Sequence, residues 1–340
     1  MKILYLMTVP PPVIAGTDAV MQEAELLRSR FAGEMVFLLP SARPRARFPR
    51  PLYGLHRLRT IRRLVPTIDL CHLYNAELYH FPLLRFIHKP VVYTVVSGLG
   101  REDRLPSTDV LRRLQGIVVP SVDDLERLKQ RGLDNGHLIR PGIDLSRFEQ
   151  TPPATGPEFV LMAGSAPWTR KQFRTKGVNA LLQVAQRMAN LRLVFLWRGW
   201  LTEEIRERVN ALGLADRVEI HTDRVDVNQV LSRAHAAVVL ANKQKLVKAY
   251  PHSLLEALTC GRPVLVSDCI PMAEYVRKTQ CGEVVQSLAP SDLLQAIQRL
   301  KENYEDYRLN ARRVGKTDFS QEDLVNSYRK LYESVAGSRR

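Results

Sequence analysis

Short apolar runs, bounded by turn residues and separated by stretches of helical periodicity, recur along the whole chain. Runs with no polar alternation predict strands buried on both faces, as in a parallel sheet. In the first half the pattern predicts strands over 3–7, 35–39, 70–73, 91–95, 117–119 and 138–139, with helices over 18–30, 77–86, 108–114 and 122–130. In the second half, strands over 159–163, 193–196, 218–220, 237–240, 263–266 and 283–284 alternate with helices over 177–189, 202–212, 227–234, 252–260, 272–279 and 291–303. Such alternation argues for sheets wrapped by helices, so the fold class is α/β, one Rossmann-like unit followed by another.

Residues 148–157, between the halves, are rich in Pro and Gly. They read as a hinge, because proline restricts the chain and leaves few backbone donors for a sheet. The expected domains are therefore 1–150 and 151–318, with 319–340 as a closing segment. Open α/β sheets bind ligands beyond the carboxyl ends of their strands, so two Rossmann-like domains facing across a cleft are expected to enclose the ligands there.

A chain of 340 residues with 45% hydrophobic content is long enough for two domains, each with its own core. The apolar run over 3–9 stops at Pro10-Pro11-Pro12, too short for a signal peptide, and no run approaches the ~20 residues needed to span a bilayer. A cytoplasmic location is expected. Cys71, Cys260, Cys269 and Cys281 have no C-x-x-C spacing, so neither a zinc site nor a disulfide framework is suggested.

The net charge of +15 is concentrated: Arg43, Arg45, Arg47, Arg50, His56, Arg57, Arg59, Arg62 and Arg63 occupy 41–66 with no acid among them. Phe48, Leu52, Tyr53, Leu55, Leu58 and Ile61 are interleaved with them. The Arg43 to Arg63 segment thus suits the anionic inner face of a membrane or a phosphorylated acceptor. A solvated basic helix is the plainer reading. Nucleic acid is not expected as a partner, since no DNA or RNA motif accompanies the charge.

The segment 248–267 carries the most chemistry. It reads as a helix with one acidic group, Glu256, on an otherwise apolar face, followed by a buried strand. Pro251 lies near the first turn and Ser253 is a candidate cap, so open N–H groups at the helix mouth would face an anion, with Glu256 a turn further on. Gly261 and Pro263 end the helix.

This stretch resembles the nucleotide-contacting signature of retaining glycosyltransferases of the two-Rossmann-domain (GT-B) type, in the large group called family 4. The family pattern is Glu, seven residues, Glu, then Ala and a Gly-x-Pro-Val turn. Glu256 matches the second glutamate, which in that family holds the ribose of a sugar nucleotide. The first, which contacts the donor sugar, falls on Lys248. Residues 138–148 (LIRPGIDLSRF) are similar to the family segment before the linker, 68–72 to its "D-v-v-H" strand, and 319–332 to the helix that crosses back to the N-terminal domain. The resemblance implies an acceptor domain first and a donor domain second.

By the same resemblance, Lys176, ahead of Gly177, matches the family's phosphate-binding lysine. The usual partner arginine is replaced by Ser165, leaving Arg170, Lys171 or Arg174 of the longer loop to substitute. A basic loop entering a helix is in any case a good phosphate site. Gly16 and Thr17 occupy the place of the loop that closes over the substrates. Tyr250, His252, Ser253 and Leu254 at the signature helix, and Arg198 after the strand over 193–196, are further candidate donor contacts. The family histidine after the strand over 91–95 is missing, with Ser97 near its place.

The implied activity is metal-independent retaining transfer of a sugar from a nucleotide-diphosphate sugar to a glycan or lipid-linked acceptor, in a polysaccharide-building setting. No cofactor is expected apart from the donor itself, and no D-x-D pair or histidine cluster suggests a metal. Lys176, Glu256 and Lys248 are the candidates for the chemistry, and Lys248 would suit an acidic donor sugar such as a uronate. The alternative is a GT-B protein that holds a nucleotide sugar or a partner without turnover. A sugar-nucleotide epimerase is disfavoured for want of a dense set of acids and histidines.

Overall fold

The structure is a computed structural model that describes residues 1–9, 18–39, 49–100, 105–152, 155–197 and 200–337. The chain divides into two compact units: 1–142 with 321–340, and 143–320.

In chain order the first unit contains β1 (Ile3–Met7), α1 (Ala19–Arg30), β2 (Gly33–Phe37), α2 (Leu58–Leu64), β3 (Leu70–Asn75), β4 (Val91–Val95), α3 (Thr108–Leu111), β5 (Gly116–Val119), α4 (Val122–Gln130) and β6 (Gly136–Leu138). The second contains β7 (Phe159–Ala163), α5 (Arg170–Thr175), α6 (Val178–Arg187), β8 (Leu191–Leu196), α7 (Thr202–Ala211), β9 (Val218–His221), α8 (Val227–Arg233), β10 (Ala236–Val239), α9 (His252–Thr259), β11 (Val264–Ser267), α10 (Met272–Thr279), β12 (Gly282–Val285), α11 (Pro290–Glu302) and α12 (Tyr304–Gly315). α13 (Gln321–Gly337) then returns to the first unit.

Each unit is built on a six-stranded sheet, ordered β2-β1-β3-β4-β5-β6 in the first and β12-β11-β10-β7-β8-β9 in the second. All strand pairs are parallel. Parallel strands need crossovers, and the helices supply them while covering both faces. In the first unit, α1 and α13 cover one face through Met21, Leu27, Tyr328 and Leu331, and Ile61 and Leu128 cover the other. In the second, α9, α10 and α12 pack on one face and α6, α7 and α11 on the other. Val178, Leu181, Leu182 and Val184 of α6 are all buried, roughly 1.5–3 kcal/mol of hydrophobic stabilisation apiece.

A buried polar network fastens α13. His72 of β3 meets the Tyr332 hydroxyl at Nδ1 (2.6 Å) and Thr94 Oγ1 at Nε2 (2.7 Å), and Thr94 Oγ1 lies 2.8 Å from the Tyr328 hydroxyl. The hydroxyls of Tyr74 and Tyr328 both donate to Glu23 Oε1. Burial pushes the His72 pKa down to about 3, so its imidazole is neutral and serves as both donor and acceptor.

The sequence expectations need three corrections. Residues 77–86 do not form one helix; only Pro82–Phe86 turn, as a 3-10 segment. Proline at 82 lacks an N–H, and the Tyr93 hydroxyl takes the backbone ahead of it, donating to the Glu77 carbonyl (3.0 Å) and accepting from the Tyr79 N–H (3.0 Å). β2, β6 and β8 begin two residues before the runs over 35–39, 138–139 and 193–196, and α3 stops at Leu111 rather than 114. α5, a six-residue helix within the basic loop, and α12 were not foreseen.

Residues 149–152 of the Pro-rich stretch belong to the second unit and are bonded within it. Arg262, with no exposure, donates to the carbonyls of Thr151 (3.0 Å), Pro152 (2.8 Å), Leu231 (2.9 Å) and Ser232 (3.3 Å) and to Thr151 Oγ1 (2.7 Å). Gln150 and Arg312 bond to each other, and the Glu149 N–H donates to Asn228.

Candidate functional site

The order of the second sheet reverses between β7 and β10, and such a switch point opens a crevice at the carboxyl ends of the strands. The loop after β7 and the helix following β10 meet there. A Cβ on Gly164 would stand 2.6 Å from Ser253 Cβ, so only glycine permits this approach. On the other side, Gly177 adopts a left-handed φ of 68°, and a Cβ there would stand 2.7 Å from the Leu240 side chain.

Gly177 thereby turns the chain directly after Lys176. The Lys176 side chain is buried, and its Nζ donates to Ser165 Oγ (3.2 Å) and to the Ala166 carbonyl (3.1 Å). Burial lowers its pKa to about 8. A desolvated ammonium held by a hydroxyl and a carbonyl is suited to meet an anion, which would restore the favourable environment that burial takes away.

Helix α9 begins at His252 with Pro251 as its flanking residue and no side-chain capping bond. Ser253 is therefore not the cap the sequence suggests, but lies within the first turn. Helix geometry leaves the N–H groups of His252 and Ser253 directed out of the mouth, where they and the dipole favour an anion. His252 is partly buried, and desolvation, with a contribution from the Lys248 charge, pushes it down to about 3, so it is neutral at pH 7. Lys248 is half-buried ahead of the helix, and Glu256 is half-buried one turn inside it.

The remaining candidates are dispersed. Tyr250 is buried against Tyr275 and Phe319, and Leu254 lies in the core, so their side chains face away from any ligand. Arg170 is exposed and pairs with Glu204 at 3.0 Å; Arg174 is exposed on α5. Gly16, Thr17 and Arg198 lie outside the described residues, as do Arg43, Arg45 and Arg47. Asp18 caps α1, accepting from the N–H groups of Val20 (2.8 Å) and Met21 (3.0 Å). The role of the Ala166 carbonyl and the contact between Gly164 and Ser253 were missed, although a glycine directly after a buried strand was the available signal. Among the described residues no cluster of His, Cys, Asp and Glu could hold a metal, and no helix is long and apolar enough to cross a membrane.

Residues 147–317, which contain this whole site, match the family described as glycosyl transferases group 1. The chain belongs to that family. A curated relative of this chain is the N,N'-diacetylbacillosaminyl-diphospho-undecaprenol alpha-1,3-N-acetylgalactosaminyltransferase of Campylobacter jejuni, 30% identical over 115 residues, 33% of this chain. The match spans 29% of that relative's length. Among solved structures, Anabaena HepE in complex with UDP is similar with a TM-score of 0.69 at 16% identity, covering 98% of this chain and 100% of that one. Sucrose-phosphate synthase from Thermosynechococcus elongatus is similar with a TM-score of 0.71 at 17% identity, covering 99% and 100%. These likenesses show the GT-B fold of this glycosyltransferase family member.

Proposed function

We propose that the chain transfers a sugar from a nucleotide-diphosphate sugar to a glycan or lipid-linked acceptor, with retention of configuration and without a catalytic metal. The observation that carries this reading is the buried Lys176, bonded to Ser165 and Ala166 at the switch point, with Gly164 against the mouth of α9. As the glycosidic bond breaks, negative charge grows on the departing diphosphate. A preset cation and two open N–H groups stabilise that charge more in the transition state than in the ground state. They take the part a divalent ion has elsewhere, so activity should survive chelator.

Glu256, a turn inside α9, is assigned to the ribose hydroxyls as their acceptor. Lys248 is assigned to the donor sugar, where its charge suits a uronate. Retention is inferred from the resemblance of the signature segment. The curated relative is named for a lipid diphosphate substrate, and HepE was solved with UDP, which favours a uridine donor and a lipid-linked acceptor.

The first unit suggests how such an acceptor is reached. Arg57, Arg59, Arg62, Arg63 and Arg85 are exposed beside Leu52 and Phe86, and the Arg62 guanidinium lies 5.1 Å from the Phe86 ring centroid. This surface suits an anionic bilayer, each cation near it contributing about 1 kcal/mol. Sedimentation with phosphatidylglycerol vesicles should fall sharply on joint Arg62→Glu and Arg63→Glu substitution; unchanged sedimentation would remove the membrane from the proposal.

The central test is a thermal-shift panel of nucleotide diphosphates and their sugars, followed by transfer and hydrolysis assays with and without chelator. Stabilisation by one base, lost in Lys176→Ala and Glu256→Ala, together with chelator-resistant turnover whose product keeps its anomeric configuration, is expected. Stabilisation without any turnover would favour the binding-only alternative.

A further inference from the structure

Two of the three tryptophans are held at the surface, at the end of the second sheet that carries the diphosphate slot. Trp168, 42% exposed, stands between β7 and α5, two residues beyond the Ala166 carbonyl that accepts from Lys176. Trp200, 46% exposed, stands between β8 and α7. Both loops leave the same edge, because β7 and β8 pair in parallel with Ala163 opposite Phe195.

The two positions are fixed rather than loose. The Trp168 backbone N–H donates to Gln172 Oε1 at 2.7 Å. The buried Trp197 donates its Nε1–H to the Trp200 carbonyl at 3.0 Å, and Leu201 directly after it takes a left-handed φ of 67°, a strained conformation for a residue other than glycine. The following helices are joined. Glu204 pairs with Arg170 (3.0 Å) and Arg208 (2.7 Å), Arg208 lies 4.6 Å from the Phe173 ring centroid, and Phe173 packs on Trp197. The backbone is thus fixed at both positions, and the two indoles it carries are exposed to solvent, which folding alone does not favour.

The charge around them decides what they meet. Arg170, Lys171, Arg174, Arg206 and Arg208 are interspersed with Glu203, Glu204 and Glu207, and Arg170, Arg206 and Arg208 are already paired with those acids, unlike the acid-poor patch around α2. A mixed surface has no preference for an anionic bilayer. It suits a neutral, polyhydroxylated ring whose C–H face lies on an indole while its hydroxyls reach the flanking charged side chains.

We propose that Trp168 and Trp200 form a stacking platform for a neutral sugar ring of the acceptor glycan. The assignment to the acceptor rests on the transferase reading above; the platform itself is tested without turnover. The full chain is titrated with maltotriose, cellotriose and chitotriose, with and without a saturating nucleotide diphosphate, while tryptophan emission is followed. At least one trisaccharide should quench and blue-shift the emission. Trp168→Ala and Trp200→Ala should each weaken that probe about tenfold, Trp200→Phe should hold it within about threefold, and nucleotide stabilisation should be the same in all three variants.

Emission unmoved by all three trisaccharides, with and without nucleotide, would overturn the platform. Loss of nucleotide stabilisation in the alanine variants would overturn it too, by giving the indoles to the base. Failure of every nucleotide to stabilise the wild type would strike the donor reading instead, and the nucleotide-free titration would still decide the platform.

Discussion

The imidazole Nδ1 of His72 lies 2.6 Å from the hydroxyl of Tyr332, a contact that bridges 260 residues of sequence. Both groups are buried, so removing one leaves the other desolvated and unsatisfied, at a cost of about 1–3 kcal/mol. Tyr332→Phe should therefore lower the denaturant midpoint at pH 7 with little change in slope. Acid should act through the same histidine. Its folded pKa of about 3 lies below the unfolded value of 6.5, so its contribution is complete above pH 6.5 and is lost as pH falls toward 3. At pH 5 the loss amounts to about 2 kcal/mol. Urea melts of wild type and His72→Gln at pH 7 and pH 5 should show a smaller pH effect in the variant; equal effects would assign the acid sensitivity elsewhere.

Lys176 should trade stability for binding. Its folded pKa of about 8 lies below the free value of 10.5, so keeping it charged at pH 7 opposes folding by about 3 kcal/mol, a penalty that disappears as pH rises from 8 toward 10.5. Lys176→Met should raise the thermal midpoint at pH 7 while weakening nucleotide diphosphate binding about 10- to 100-fold, as for a lost charged hydrogen bond. Calorimetric titrations should find wild-type affinity falling above pH 8 and the variant indifferent to pH over that range.

Arg262 satisfies five oxygen acceptors, none of them a carboxylate among the described residues. A lysine offers three donors from a single point and cannot reproduce the fork. Arg262→Lys and Arg262→Ala should both destabilise the second unit, the alanine by about 3 kcal/mol or more. Limited proteolysis should then cut between 147 and 157 in both variants sooner than in wild type. Cleavage at wild-type rates would mean that the strand of residues around Thr151 is held by Gln150 and Asn228 alone.

At Gly164 the expected loss is one of function. An added methyl would stand 2.6 Å from Ser253 Cβ and displace the mouth of α9 from the β7 loop. Gly164→Ala should keep most of its stability yet lose at least tenfold in nucleotide affinity, about 1.4 kcal/mol. A variant binding as well as wild type would detach the helix mouth from the site.

The strands were legible because β1, β3, β4, β5, β10 and β11 are buried at every position, so β1, β5 and β10 appear as uninterrupted apolar runs and the other three are broken only by the buried His72, Asn75, Thr94 and Ser267. Helix α9 was legible as an apolar helix with one acid, and Lys176 was singled out among the cations of its loop by the family resemblance. What sequence could not supply was context beyond the local pattern. The 77–86 stretch has helical composition, but Tyr93, on a neighbouring strand, takes its backbone bonds. Arg262 reads as a charged turn residue until the carbonyls of Thr151 and Leu231 are seen around it. Ser253 has the chemistry of a cap, and only the start of α9 at His252 puts it inside the first turn.

The return of α13 to the first unit sets an order of assembly during synthesis. Residues 143–320 are contiguous and can close their sheet as soon as they leave the ribosome, whereas the earlier-made sheet keeps Tyr74, Thr94 and His72 uncovered until Tyr328 and Tyr332 emerge. The portion translated first is thus completed last, and a chain truncated before α13 would carry a finished second unit and a first unit that exposes one sheet face to chaperones and proteases.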